Sequence, residues 1–99
     1  MVQVFVIPIT GSVAKQTDIY LPGRTKVWSL VAAYKSGLAG TSSSVPLDPK
    51  GDGSATESPT PAVKLQADGR KFKYGAALTN ADVLTLVGVV SGSVQGCGE

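Results

Sequence analysis

The sequence predicts an all-β fold, an antiparallel β-sandwich of short strands joined by polar turns. Three observations predict it. Val, Thr, Ser and Gly are abundant, and strong helix formers do not dominate. Twelve glycines and six prolines supply turn punctuation. Several segments alternate with the period of two that a strand requires. A chain of 99 residues makes one domain, residues 1–99. A domain of that size buries about two-thirds of its unfolded surface, enough to fold alone but with a thin margin.

Residues 2–9 read as the first strand, with Val2, Val4 and Val6 on one face and Phe5, Ile7 and Ile9 on the other. Both faces are therefore apolar. Gly11-Ser12 marks a turn, and residues 13–21 read as a second strand with polar Lys15, Gln16 and Thr17 early in it. Pro22-Gly23 signals a type II turn, because proline presets φ and glycine accepts a positive one. Residues 25–35 also fit a helix, through Val27, Leu30, Val31 and Tyr34. The alternation of Trp28, Leu30, Ala32 and Tyr34 favours a strand. Residues 36–61 change character: Gly, Ser, Thr, Pro and Asp dominate around a small apolar island, Val45-Pro46-Leu47. Such a stretch buries too little apolar area to offset its own ordering entropy. It reads as one long Gly/Ser/Pro-rich loop or arm, and long loops in compact domains tend to be functional.

Residues 62–66 and 70–75 read as two strands joined at Ala67-Asp68-Gly69, where Asp-Gly suits a type I′ turn. Lys64, Lys71 and Lys73 decorate this hairpin, and lysine on an edge discourages edge-to-edge aggregation. Thr79, Asn80 and Asp82 suit a turn in which side chains bond nearby amides. Residues 83–90 are the clearest strand, with Leu84, Leu86 and Val90 on one face and Val83, Val87 and Val89 on the other. Gly88 inside it marks a bulge or a close backbone approach. Residues 92–99 read as a flexible tail that carries the lone Cys97.

The chemistry-bearing residues are sparse. There is no histidine, and one cysteine cannot form an intrachain disulfide. Ser and Thr are plentiful but have no histidine base beside them. Seven acidic residues are scattered, so a pair such as Asp18 and Asp82 has nothing to select it for glycoside chemistry. Asp48, Asp52, Gly53 and Glu57 fail as an EF-hand loop, because Lys50 and Pro59 stand where oxygen ligands are needed. Lys50-Gly51-Asp52 resembles integrin-recognition tripeptides, a match three residues long. No phosphate loop or dinucleotide fingerprint is present. The expectation is a protein without catalytic residues, metal or cofactor. The N-terminal segment lacks a basic region and is interrupted by Gln3 and Pro8, unlike a signal peptide. No apolar run reaches bilayer-spanning length, so synthesis in the cytoplasm and no membrane partner are expected.

Two strands with two apolar faces point to cover by the long loop or by another subunit or partner, the alternative being a central strand pair covered within the monomer. In residues 36–61, Val45 and Leu47 are the candidate contacts, and removing 41–58 is expected to weaken assembly and spare the fold. Arg70, Lys71 and Lys73 form a local basic cluster, a candidate contact for acidic surfaces. The net charge of +2 weighs against nucleic acid as a partner. Even so, Trp28, Phe72 and Tyr74 with nearby basic residues define an alternative, a small module binding nucleic acid or carbohydrate.

Gly11-Ser12-Val13-Ala14, Thr17-Asp18-Ile19-Tyr20-Leu21-Pro22, Lys26-Val27-Trp28-Ser29-Leu30 and Leu78-Thr79-Asn80-Ala81-Asp82-Val83-Leu84-Thr85-Leu86 follow one another in an order that resembles the small β-sandwich modules of tailed-phage virions, head decoration (cement) proteins among them. The resemblance covers most of the chain outside the long loop. It implies a jelly-roll-like sandwich and a homo-oligomer, often a trimer. It also implies a place on the virion, bound to a major capsid protein, where the module stiffens the shell. The family brings no catalytic residues.

Overall fold

Alternation at the N-terminus becomes strand β1, Val2–Pro8, in the computed structural model, which describes residues 1–37 and 42–90. The chain continues through β2 (Ile19–Tyr20), a single 3-10 turn at Pro22–Arg24, β3 (Val27–Ser36) and β4 (Ser42–Ser44). It ends in β5 (Val63–Leu65), β6 (Lys71–Tyr74) and β7 (Val83–Val90). The strands form two antiparallel sheets, a four-stranded one in the order β1-β7-β3-β4 and a three-stranded one in the order β2-β6-β5. The chain crosses from one sheet to the other and back between β1, β2 and β3, and again between β4, β5 and β7. The sheets enclose one core: Phe5, Ile7, Ala33, Leu84 and Leu86 from the first, Val63, Leu65, Phe72 and Tyr74 from the second. The fold is the antiparallel β-sandwich expected of the sequence.

Central strand β7 alternates strictly, with Leu84, Leu86, Gly88 and Val90 buried and its other residues half-buried. Gly88 is required there: a Cβ would stand 2.7 Å from Val27 Cγ1 and 3.2 Å from the Ser29 carbonyl. The irregularity lies opposite, in β3. Val27 and Ser29 face the consecutive residues Val90 and Val89, so Trp28 is extra; Leu30 and Ala32 face Gly88 and Val87, so Val31 is extra. The helical spacing in this segment is thus a by-product of two irregularities in a strand.

Turn chemistry largely follows the residues. Leu21 to Arg24 form a type II turn closed by the Arg24 N–H donating to the Leu21 carbonyl, with Gly23 at φ 66°. Asp82 accepts from the Thr79 N–H at 2.8 Å, and Asn80 accepts from the Gly11 N–H. The hairpin between β5 and β6 differs from the expected type I′ turn. Only Gly69 has positive φ, and its N–H donates to the Gln66 carbonyl, the pattern of a type I turn followed by a left-handed glycine. The Asp68 carboxylate instead accepts from the Arg70 N–H.

Three expectations need correction. Residues 13–21 are not one strand: Val13 makes an isolated bridge to Leu78, and only Ile19 and Tyr20 join a sheet. A turn bonded by Thr17 N–H and Oγ1 to the Ala14 carbonyl breaks the run. Lys71 and Lys73 do not guard an edge, because β6 is the middle strand of its sheet, and Lys64 of the end strand β5 donates to the Pro49 carbonyl of the segment lying along that strand. The 42–61 part of the long segment is not an arm. It lies on the body, where β4 pairs with β3, Val45 and Ala55 are buried and Leu47 bridges Val63 in parallel.

Two glutamines hold that segment. Buried Gln66 donates to the Gly53 and Lys64 carbonyls and accepts from the Gly53 N–H. Gln16 donates to the Ala55 carbonyl and to Glu57, and accepts from the Ala55 N–H. The expected tail at 92–99, with Cys97, lies outside the described residues, as do positions 38–41.

Candidate interaction surfaces

The four-stranded sheet presents an apolar face that no described residue covers. Val2, Val4 and Val6 of β1 point away from the core, each more than half exposed. They stand directly across from Val89, Val87 and Thr85 of β7, which in turn face Ser29, Ala32 and Tyr34 of β3. Every outward position of these strands is uncharged, Pro8, Val83 and Ser36 included. Val31 and Trp28, the two extra residues of β3, are also more than half exposed. Together these side chains offer on the order of 500 Å² of apolar surface, the size at which a patch commonly marks a partner site.

A second surface combines cations and rings. Tyr20 and Trp28 are exposed; the Arg24 guanidinium lies 4.0 Å from the Tyr20 ring centre, and Lys26 Nζ lies 5.4 Å from that of Trp28. Lys71 Nζ lies 5.8 Å from the Tyr20 ring centre. Arg70 joins them by donating from Nη1 to the Arg24 carbonyl, and the Lys50 ammonium donates to the Trp28 carbonyl. Backbone bonds from Leu21 N–H to Arg70 and from Val27 N–H to Gly69 zip these pieces into one surface.

The sequence-predicted site residues distribute unevenly over these surfaces. Arg70 and Lys71 belong to the cation-ring surface, while Lys73 is tied to Asp18 at 2.8 Å and to the Gln16 carbonyl. Val45 is in the core and Leu47 is half-buried against it, so neither side chain is offered to a partner in this fold. Phe72 and Tyr74 cannot serve as stacking platforms. The alternation of β6 turns them inward and turns Lys71 and Lys73 outward. Trp28 alone of that trio is accessible, and Tyr20 takes the place of the other two. The signal for Tyr20 was present in its neighbours, since it is the aromatic beside the Pro22-Gly23 turn.

Among the described residues the acidic side chains have partners. Asp48 accepts from Thr56 N–H and Oγ1, Asp52 from the Ala67 N–H, and Glu57 pairs with Lys15 at 2.9 Å. Hydrogen bonds from Gln16 and then Lys15 hold the Glu57 carboxyl below its ordinary range. The hydrogen bond from Lys73 does the same for Asp18, opposed by desolvation and assisted by the charges of Lys73 and Lys71. Asp82 is tied to Thr79 and faces Lys35 at 3.8 Å. Burial, then the Asp82 charge, raises the Tyr74 phenol. Among the described residues no group of three metal-ligating side chains converges. Lys50, Gly51 and Asp52 are bonded back to Trp28, Leu65 and Ala67, so the tripeptide is part of the packed segment. A half-open cleft of ≈ 280 Å³ is lined by Lys35, Ser43, Ser44, Pro46, Thr60 and Tyr74. Among the described residues no helix is long and apolar enough to cross a membrane.

No family model matches the chain, and neither a curated protein nor a solved structure shows significant similarity to it.

Proposed function

We propose that the protein is a structural virion component, a head decoration or cement protein. It self-associates and lays an apolar sheet face on the capsid surface to stiffen the shell. The observation that carries this reading is the uncharged apolar outer face of the four-stranded sheet, which nothing in the described chain covers. Burying a valine that is half exposed contributes about 1 kcal/mol, so a handful of them supplies a useful binding energy without any bond chemistry. Purified protein mixed with undecorated phage heads should sediment with them, and Val87→Lys at the centre of the face should abolish that capture while leaving the circular dichroism unchanged. Capture by the variant at wild-type level would overturn the role given to this face.

A second reading, a binding module for nucleic acid or carbohydrate, is favoured by one observation: Tyr20 and Trp28 stand exposed among Arg24, Lys26, Arg70 and Lys71. Rings interleaved with cations are how single strands are held without sequence preference. Titration with a labelled oligonucleotide tests it. Binding that falls steeply with salt and is lost in Trp28→Ala supports this reading, and no binding at low salt removes its nucleic-acid form.

A further inference from the structure

We propose that β1 is a self-association edge, at which two copies pair antiparallel about a two-fold axis through Val4. The inference rests on the self-association part of the reading above and is independent of the capsid.

Other open edges of the sheets are obstructed. β2 and β4 are only two and three residues long. The β5 edge is occupied by residues 46–51, through Val63 N–H to the Pro46 carbonyl, Asp48 N–H to the Val63 carbonyl and Gly51 N–H to the Leu65 carbonyl. The half of β3 that β4 leaves unpaired carries both irregularities, and Lys50 caps its Trp28 carbonyl. Bulges and lysines are the devices that blunt an edge. β1 has neither. It is seven residues long, regular in register and free of charge, with β-branched valines at alternate positions.

Hydrogen-bond phase fixes what that edge offers. Val90 N–H donates to the Met1 carbonyl, and Ile9 N–H donates to the Asp82 carbonyl. Odd-numbered residues of β1 therefore bond to β7, and the N–H and C=O groups of Val2, Val4 and Val6 point to the side that no described strand occupies. A two-fold contact requires that residue i meet j and j meet i. Pairing Val4 with Val4 of a second copy, and Val2 with Val6 in both directions, satisfies this and closes six hydrogen bonds. Pro8 has no N–H, so the ladder ends there by construction. The paired valines also meet on the outward face, joining two apolar faces into one across an eight-stranded sheet. No like charges oppose one another on the β1 edge. Edge pairing over so short a strand buries less than the roughly 800 Å² per partner of a standard interface. The dimer is accordingly reversible and depends on concentration.

Light scattering over a concentration series, combined with hydrogen exchange, tests the proposal. Wild-type mass should rise from monomer to dimer, with the Val2, Val4 and Val6 amides slowing in exchange over the same concentrations. Val4→Pro removes an N–H that β7 does not use, so it should stay monomeric at every concentration with an unchanged melting temperature. If Val4→Pro fails to fold, Val4→Lys and the wild-type exchange pattern carry the test. Dimerisation of the variants at wild-type concentrations, or edge amides indifferent to concentration while the mass doubles, would overturn the edge and leave self-association standing. A wild-type chain that stays monomeric throughout overturns both, whatever the capsid result.

Discussion

Asp18 illustrates how a charge far from any catalysis still sets a pH response. Its carboxyl is lowered from the ordinary value of 3.8, chiefly by the hydrogen bond from Lys73. A depressed folded-state value means the stabilisation is present above the unfolded pKa and is lost as pH falls through the folded one. Asp18 is more than a third exposed, so the effect at neutral pH should stay within about 1 kcal/mol. Urea unfolding of Asp18→Asn should show a small loss at neutral pH and a flatter decline through the carboxylate range; an acid limb identical to wild type would contradict this. Two glycines make a sharper comparison. At Gly88 the nearest obstacle to a Cβ is a side-chain methyl of Val27; at Gly75 it is the Thr56 carbonyl, which is backbone. Overpacking costs about 1–3 kcal/mol, and a backbone obstacle yields less than a methyl. Gly75→Ala should therefore destabilise more than Gly88→Ala, as denaturant midpoints would report. The close approach at Gly88 was legible as a glycine inside an apolar strand. Gly75 carried no such mark, because its neighbour Thr56 is remote in sequence.

The 42–61 segment shows where composition misleads. Its Gly, Ser and Pro content signals a loop that cannot order itself, and in isolation it cannot. Gln16 and Gln66 order it from outside by bonding its backbone, and Val45 and Ala55 enter the core. Removing 41–58 should therefore cost the cooperative unfolding transition, in contrast to the sparing expected of an arm. Gln66→Ala should cost about 1–3 kcal/mol, by stripping partners from Gly53 and from its own buried site, with faster amide exchange at Gly53. Unchanged exchange there would remove the clamp. The same lesson holds for the hairpin: the Asp-Gly signal located the turn, while neighbours decided its type and placed Lys71 and Lys73 on a central strand.

Across the whole molecule the two candidate surfaces answer differently to salt. An uncharged apolar face loses little when charges are screened, whereas cations holding an anionic polymer lose most of their affinity. Capsid capture should therefore persist as salt is raised, and oligonucleotide binding at Tyr20 and Trp28 should not. Capture that collapses in moderate salt would shift the capsid contact to Arg24, Lys26 and Arg70. The β-class, the strands of residues 2–9, 25–35 and 83–90, and the division of Val2, Val4 and Val6 from Phe5 and Ile7 could all be read from alternation and turn residues, because those rules are local. Three matters depended on contacts between residues distant in the chain: which of two apolar faces became the core, where the polar segment docked, and which strand was left as an unguarded edge. Period-two alternation sorts side chains between faces. The partner sheet chooses the face to bury, so Phe72 and Tyr74 vanished inward while the valines of β1 stayed in the open.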